Sequence, residues 1–252
     1  MEYTINTIAI ENLILGVINM KLFKKIATVF LMLTLAITSV NALPVKAATT
    51  SENVKLSYAR KMPYSHGNIL HFVIKVKNLG YNKKVQLKDV ATNRVLYTDA
   101  EYYSSNNDGT ENWVVRTNPL NKDPNFYISY EVNGKTYIDN NNGKNYSFGK
   151  NDSILNDNPV LFTCSLNGGW SNIVVKNLGY NKNIGIRYSE DNWATFRDIP
   201  ASYRATSSDN TLDYWFVVVP GDGEYAVYYE VNGVKYWDNN HNNNYSGSVY
   251  DI

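Results

Sequence analysis

The feature that most constrains the fold is an internal repeat that returns at one constant spacing. The segment VKNLGYNK at residues 76–83 recurs unchanged at residues 175–182, which is 99 positions later. YEVNG at residues 130–134 and NYS at residues 145–147 recur at the same offset. Units of solenoid proteins are about 20–50 residues long, so this longer period indicates duplication of a whole domain.

The repeat predicts two tandem domains of ordinary size. We place the first at residues 53–148 and the second at residues 158–252, with a polar linker at residues 149–157. Each is about 100 residues long, which is a common length for a domain. Cys164 is the only cysteine, so an intrachain disulfide and a multi-cysteine metal site are both excluded. We interpret Cys164 as a small buried apolar residue.

The N-terminus has the pattern of a secretory signal peptide. A basic start at residues 20–25 precedes an apolar run at residues 26–40, and small residues precede a predicted cleavage site after Ala47. A retained membrane anchor is the alternative, but the run is shorter than the roughly 20 residues that span a bilayer. Residues 1–47 thus comprise an upstream segment and a signal peptide. We predict that Met20 is the true start, that cleavage follows Ala47, and that the mature protein is secreted.

Within each repeat, apolar residues alternate with a period of two. This pattern at residues 126–132 and 225–231 is typical of strands with one buried face. The Asn-Gly pairs at residues 133–134 and 232–233 predict tight two-residue hairpin turns. Outside the signal peptide no amphipathic helix is indicated. The sequence therefore predicts an all-β chain of two antiparallel β-sandwiches.

The second hairpin predicts a pair of aromatic rings on one face. If residues 232–233 form the turn, Glu230 faces Lys235 and Tyr228 faces Trp237. The opposite-charge pair marks the outward side, and parity places the two rings on that side as well. The first repeat has serine and isoleucine at the corresponding positions, so this platform is predicted for the second repeat alone.

The composition narrows the class of ligand. The formal net charge is +1, which argues against nucleic acid or an anionic membrane as a partner. The chain has 21 Tyr against 8 Phe and 5 Trp. Tyrosine combines a flat apolar ring with a polar tip, which suits partly hydrated contact surfaces. We predict no cofactor and no metal site.

These segments together resemble a known family. The motif V-K-N-L-G-Y-N-K, the motif D-N-W-A-T-F at residues 191–196, and the motif Y-E-V-N-G-x-x-Y-W-D-N-N followed by N-Y resemble the family 21 carbohydrate-binding module. That family includes starch-binding domains of some fungal glucoamylases and glycogen-targeting regions of phosphatase subunits. The resemblance implies two immunoglobulin-like β-sandwiches that bind α-1,4-glucan (starch, glycogen and maltooligosaccharides) without catalysis.

The resemblance also implies a first binding surface made of three aromatic residues. In the second repeat Trp193 and Trp237 match two of the three positions, whereas Ala226 replaces the third. Tyr228 lies two residues along on the same face, and we predict that it supplies the missing ring. The first repeat keeps only Tyr127 of the three.

A second surface implied by the family uses two tyrosines in each repeat. Tyr81 with Tyr103, and Tyr180 with Tyr203, match it. The family also implies polar contacts from asparagine and lysine. These are Asn177, Lys182, Asn239 and Asn244 in the second repeat, with Asn78, Lys83, Asn140 and Asn145 as their counterparts in the first.

Several alternatives remain open at this point. Trp193 and Trp237 could be half-buried rim residues, and Tyr81 and Tyr180 could only cap the sandwich ends. A small secreted glycoside hydrolase would need two carboxyl groups about 5 to 9.5 Å apart, and the acids shared by the repeats are not paired by spacing. A glycogen-targeting phosphatase scaffold would use RVLY at residues 94–97, a near match to a docking sequence. The leading prediction is a secreted, non-catalytic α-glucan-binding protein, with separate amylolytic enzymes as candidate partners.

Overall fold

Strands and turns make up the described part of the chain, which confirms the all-β prediction. The computed structural model describes residues 51–164 and 171–247. The signal peptide predicted at residues 1–47 and the side chain of Cys164 lie outside the described residues. Within these ranges no helix has the length and apolarity needed to cross a membrane.

The strands follow the repeat. The first repeat and the linker contribute nine: β1 (Val54–Tyr64), β2 (Gly67–Lys77), β3 (Lys83–Asp89), β4 (Val95–Asp99), β5 (Glu101–Ser105), β6 (Thr110–Arg116), β7 (Phe126–Val132), β8 (Lys135–Asp139) and β9 (Ser153–Leu155). The second repeat contributes β10 (Val160–Cys164), β11 (Ser171–Lys176), β12 (Lys182–Ser189), β13 (Arg197–Pro200), β14 (Ser202–Thr206), β15 (Leu212–Val217), β16 (Glu224–Val231), β17 (Val234–Asp238) and β18 (Tyr245–Ser246).

Each repeat forms two antiparallel sheets that face one another. In the first repeat, inner sheet 1 has the order β5-β6-β2-β1-β9 and outer sheet 1 has the order β4-β3-β7-β8. In the second repeat, inner sheet 2 is β10-β11-β15-β14, and outer sheet 2 is β13-β12-β16-β17 with β18 paired to β16. The linker predicted at residues 149–157 contains β9, which pairs with β1 and so belongs to the first sheet.

The predicted hairpin register is confirmed. Asn232 and Gly233 have φ values of 52° and 76°, the left-handed conformation that a two-residue turn of this kind requires. Opposite the turn, Tyr228 pairs with Trp237, and Glu230 pairs with Lys235. The carboxylate of Glu230 lies 3.1 Å from the Lys235 ammonium.

Each repeat has one hydrophobic core, which fills the space between its two sheets. In the first core, Phe72 and Ile74 of β2 meet Leu87 of β3 and Ile128 of β7. In the second, residues of β10 and β11 meet residues of β12 and β16 in the same way. Trp113 and Trp215 each pack against one of these cores while remaining partly exposed.

A buried aspartate closes each sandwich. The Asp238 carboxylate accepts hydrogen bonds from Phe162 N at 2.7 Å, from Tyr245 Oη at 2.9 Å and from Asn240 N at 3.3 Å. Asp139 makes the equivalent bonds in the first repeat. Each aspartate therefore holds the loop that follows it, and the bond from Phe162 also ties the second loop to the opposite sheet.

A third hydrophobic cluster lies between the two inner sheets, and we call it the junction cluster. Its buried members are Tyr58, Val73, Leu155, Leu161, Val174 and Leu212. Val73 belongs to this cluster, whereas its neighbour Ile74 belongs to the first core, so strand β2 is buried on both faces. The four sheets therefore stack in the order outer 1, inner 1, inner 2, outer 2.

Two histidines lie at the edge of the junction cluster. The Tyr58 ring stacks on His241 at 6.4 Å and meets His71 edge-on at 5.9 Å, measured between ring centroids. Burial lowers the pKa of His241 to about 4, with a smaller contribution from Lys75. Burial, reinforced by Arg60 and other nearby positive groups, also lowers the pKa of His71.

Candidate functional site

Trp237 lies on the outward face of outer sheet 2 and is exposed to solvent. Trp237 is 40% exposed, whereas its cross-strand neighbour Tyr228 is only 4% exposed. The prediction that Tyr228 is a solvent-facing ring is therefore wrong, although its strand face is as predicted. The cause is Gly185 opposite it: a Cβ there would lie 2.7 Å from the Tyr228 hydroxyl, so the ring lies flat across the glycine. The ammonium of Lys235 covers the ring at 5.3 Å.

A guanidinium group takes the place that an aromatic ring would have. The Arg187 guanidinium carbon lies 4.1 Å from the centroid of the Phe196 ring and 5.3 Å from that of Trp237. Phe196 is 57% exposed. We call this set of three flat groups (Phe196, Arg187 and Trp237) the Arg187 platform.

The position of Arg187 explains the departure at Ala226. Residues 187 and 226 are cross-strand partners in outer sheet 2, and in the first repeat the same pairing joins Lys88 to Tyr127. The small Ala226 side chain leaves room on this face, and Arg187 from the neighbouring strand extends across it. A flat cation thus lies where the family resemblance implies a ring.

The charge of Arg187 is neutralised by Asp198, which lies beside the platform. Its Nε and Nη2 donate to the two carboxylate oxygens of Asp198 at 2.8 and 2.9 Å. These hydrogen bonds lower the pKa of Asp198 and raise the pKa of Arg187. The bidentate geometry also fixes the plane of the guanidinium. The guanidinium is therefore held in one plane and its charge is balanced by Asp198, which suits a neutral ligand.

Trp193 is held in a separate loop. It has a left-handed φ of 69°, and its backbone N donates to Ser189 Oγ at 2.9 Å. Its indole Nε1 donates to the Glu224 carboxylate, and the side chain is half-buried. No ring contact joins Trp193 to Trp237 among the described residues, so the structure does not bring these two predicted residues into one contact.

Tyr81 and Tyr180 are bare rings on firmly held loops. They are 100% and 98% exposed. The loop before Tyr180 is fixed where Asn232 Nδ2 donates to Leu178 O at 3.0 Å, and where Tyr229 Oη donates to Lys176 O at 2.7 Å. Equivalent bonds fix the loop before Tyr81. Neither ring contributes to the core, so the alternative that they cap the sandwich ends does not hold.

The structural counterpart of Tyr203 is Tyr102, and not the predicted Tyr103. Tyr203 pairs with Trp215 just before a register shift, and Tyr102 pairs with Trp113 just before an equivalent shift. Each of these exposed tyrosines also shares a hydrogen bond of 2.9 Å with the hydroxyl of the residue three positions later, Ser105 or Thr206. The bulge turns Tyr103 to the opposite face, where its ring meets His241 at 5.2 Å.

The two predicted lysines are engaged in buried ion pairs. The Lys182 ammonium lies 2.8 Å from the Asp213 carboxylate, with side chains 8% and 4% exposed. It also donates to Asn177 Oδ1 at 2.8 Å, while Asn177 Nδ2 donates to Asn210 O. Lys83 pairs with a buried glutamate in the same way. The prediction that Lys182 and Lys83 contact sugar is therefore corrected, because both ammonium groups are bound and covered. Lys182 instead ties the loop that carries Tyr180 to Asp213 of β15.

The segment that carries the platform matches a known family. Residues 165–247 match the family model described as carbohydrate/starch-binding module, family 21. The chain belongs to this family. The Arg187 platform, Tyr180 and Tyr203 all lie within the matched carbohydrate-binding module, which confirms the resemblance for the second repeat. Membership of the first repeat stays a prediction.

Relatives of the chain include regulatory subunits and one solved binding domain. Glycogen-binding subunit 76A of Drosophila melanogaster is 36% identical over 78 residues, which are 28% of this chain and 12% of that protein. Protein phosphatase 1 regulatory subunit 3B of Homo sapiens is 32% identical over 103 residues, 37% of this chain and 35% of that protein. The chain thus spans a minor part of these curated relatives. The solved starch-binding domain of Rhizopus oryzae glucoamylase, in complex with β-cyclodextrin and maltoheptaose, is 32% identical, with a TM-score of 0.31 and coverage of 39% of this chain and 93% of that chain.

The asparagine-rich loop of the carbohydrate-binding module has a conformational basis. Asn240, Asn242 and Asn244 have φ values of 52°, 73° and 55°. Asparagine adopts the left-handed conformation at lower cost than most residues. The amide of Asn239 bonds to Asn242 through both its oxygen and its nitrogen, at 3.1 and 3.2 Å. Loop geometry alone accounts for this run, and Asn239 and Asn244 remain half-buried beside it.

The first repeat shares the loop but not the platform. Asn140 accepts from Gly143 N at 3.0 Å, Asn145 has a φ of 57°, and Asn78 lies exposed beside the Tyr81 loop. Tyr127 is half-buried, and its hydroxyl donates to Asn93. The first repeat instead exposes the rings of Tyr81 and Tyr102, the counterparts of Tyr180 and Tyr203.

Proposed function

We propose that the protein is a secreted, non-catalytic module that binds α-1,4-glucan of the starch and glycogen type. The observation that carries this proposal is the Arg187 platform, a flat, fixed and electrically neutral surface within a carbohydrate-binding module. Pyranose rings present C–H faces that pack on flat groups, and their hydroxyls need both donors and acceptors. The name of the Drosophila melanogaster relative, a glycogen-binding subunit, agrees with an α-glucan ligand. The signal peptide pattern supports export.

Binding at one such surface is expected to be weak. Each sugar contact replaces water, so a hydrogen bond contributes only about 1 kcal/mol net. A single site should therefore bind in the micromolar to millimolar range, about 4 to 8 kcal/mol. Polysaccharides compensate for this because they offer many equivalent sites.

A non-catalytic role is supported by the state of the shared acids. A glycosidase needs a general acid with a raised pKa. Asp198 instead has a lowered pKa because Arg187 binds it. Asp238 has a pKa raised by burial, but it lies beneath its loop and accepts three backbone and hydroxyl bonds. For phosphatase targeting, the RVLY sequence at residues 94–97 lies mostly in β4, and its Leu96 and Tyr97 pack against the first core.

The proposal can be tested by affinity electrophoresis in gels containing amylose, glycogen, cellulose or xylan. We expect retardation only in the two α-glucans, and a larger loss of retardation for Trp237→Ala than for Tyr81→Ala. Ile138→Ala is the matched control, because residue 138 is the first-repeat counterpart of residue 237. Equal mobility of wild type and Trp237→Ala in glycogen would overturn the assignment of the platform, and retardation in cellulose would overturn the choice of ligand.

A further inference from the structure

The two repeats are joined face to face and not as beads on a flexible linker. The junction cluster buries one face of each inner sheet, and its members are at most 8% exposed. Separation of the two repeats would expose these five aliphatic side chains and one tyrosine to water. That exposure is unfavourable because of the hydrophobic effect.

Polar contacts along the linker hold the same arrangement. The Lys75 ammonium lies 2.8 Å from the Asp157 carboxylate, and Asn156 Nδ2 donates to Leu56 O at 3.1 Å. Arg60 Nη1 reaches across to Phe162 O of the second repeat at 3.4 Å. With β9 hydrogen-bonded to β1, little of the linker can act as a hinge.

This arrangement makes the exposed surfaces face in opposite directions. Trp237 projects from outer sheet 2 on the side away from the first repeat. Tyr102 shares the side of inner sheet 1 that carries Trp113, whose ring packs on the first core, and this side faces away from the second repeat. Tyr81 lies on the loop between β2 of inner sheet 1 and β3 of outer sheet 1. Stacked sheets lie about 10 Å apart, so roughly 20 Å or more separates inner sheet 1 from outer sheet 2.

We propose that the chain is a rigid bivalent bridge that joins two separate α-glucan chains or branches. This inference rests on the proposed function, and it adds that the two repeats cannot share one short oligosaccharide. The first repeat binds through Tyr81 and Tyr102, and the second binds through the Arg187 platform and Tyr180. A flexible linker would let both repeats bind neighbouring segments of one chain, whereas fixed opposed sites favour binding to different chains.

Agglutination of glycogen particles tests the bridge. Wild-type protein is titrated into glycogen while particle size is followed by dynamic light scattering. We expect the size to rise at intermediate protein-to-glycogen ratios and to fall again when protein in excess saturates every chain end singly. Tyr81→Ala, and Trp237→Ala combined with Tyr180→Ala, should each abolish the rise, because each leaves the candidate binding rings of one repeat only. Tyr64→Ala is the matched control, because Tyr64 is 55% exposed but lies in neither surface.

Binding is measured on the same samples by co-sedimentation with glycogen, so that the two proposals fail separately. Co-sedimentation without any increase in particle size would overturn the bridge and leave the proposed function intact. Absence of co-sedimentation would overturn the proposed function itself. Agglutination that persists both in Tyr81→Ala and in the double variant Trp237→Ala with Tyr180→Ala would also overturn the bridge, and sedimentation velocity of the protein alone would identify self-association as its cause. Thermal unfolding shows that each variant remains folded.

Discussion

Replacing Arg187 tests whether the guanidinium works as the middle element of the platform. Its two contacts, at 4.1 Å to Phe196 and 5.3 Å to Trp237, are cation–π contacts at an exposed site. Such contacts contribute about 0.5–1 kcal/mol each, so removing both lowers the stabilisation of the two ring positions by about 1–2 kcal/mol. Ordering those rings again must then be paid for on binding. Because about 1.4 kcal/mol corresponds to a factor of ten, we expect the Kd for maltoheptaose to rise roughly five- to thirtyfold in Arg187→Met.

The assay is isothermal titration calorimetry in a background that reports the platform alone. Tyr81→Ala and Tyr180→Ala remove the two bare rings, and Arg187→Met is then compared with its parent. Lys88→Met is the matched control, because Lys88 occupies the same cross-strand position in the first repeat. Asp198 is left without its partner but remains hydrated, since its side chain is 40% exposed. Thermal unfolding should therefore change little.

Arg187→Lys separates flatness from charge. An ammonium group is compact and lacks the planar face of a guanidinium. If flatness matters, Arg187→Lys weakens binding as much as Arg187→Met does. Wild-type affinity in Arg187→Lys would show that charge alone is sufficient, and wild-type affinity in Arg187→Met would refute a role for the guanidinium.

Two further predictions concern stability. Burial lowers the pKa of His241 to about 4 in the folded protein, whereas a histidine in the unfolded chain has a pKa of about 6.5. The unfolded chain therefore binds the proton first as the pH falls. The free energy of unfolding should decrease as the pH drops from about 6.5 towards 4. His241→Asn should flatten that slope in urea titrations and the exposed His66→Asn should not, and identical slopes for wild type and His241→Asn would contradict the assignment. Asp238→Asn leaves part of a buried hydrogen-bond set unmatched and should cost about 1–3 kcal/mol of unfolding free energy, with Asp139→Asn costing a similar amount. An unchanged urea midpoint in both variants would show that these carboxylates are dispensable.

Local patterns were sufficient to predict the hairpins and the position of Trp237. The Asn-Gly pair at residues 232–233 needs two left-handed residues, and few alternatives to a two-residue turn satisfy that need. Once the turn is known, the period of two determines which side chains share a face. Exposure of Trp237 follows from its pairing and from the small number of residues that remain to cover an edge strand.

The partner of Tyr81 could not be predicted, because the offset between the repeats changes along the chain. The repeats match at an offset of 99 residues in their first motif, but Tyr102 and Tyr203 are 101 apart. The second repeat therefore carries two extra residues between the first motif and this strand, and counting alone does not locate them. Adjacent side chains of a strand point to opposite faces, so an error of one position exchanges Tyr103 for Tyr102.

The Arg187 platform was missed for a different reason. Phe196, Arg187 and Trp237 come from three separate strands or strand ends, and no local spacing connects them. One local signal was present: Gly185 interrupts a buried apolar strand, which often marks close approach of another group. Here that group is Tyr228, and its burial leaves the outward face to Arg187.

The face-to-face junction also left a signal in the sequence. Most strands alternate, but residues 70–74 and 173–175 are nearly continuous apolar runs, which is the pattern of strands buried on both faces. A single β-sandwich can bury only one face of each sheet, so such runs require a further layer. Each repeat alone would expose its half of the junction cluster to water, with Val73 on one side and Leu161 and Val174 on the other. The duplication therefore supplies each repeat with the partner that its own inner sheet needs, and the opposed direction of the two binding surfaces is a consequence of that packing.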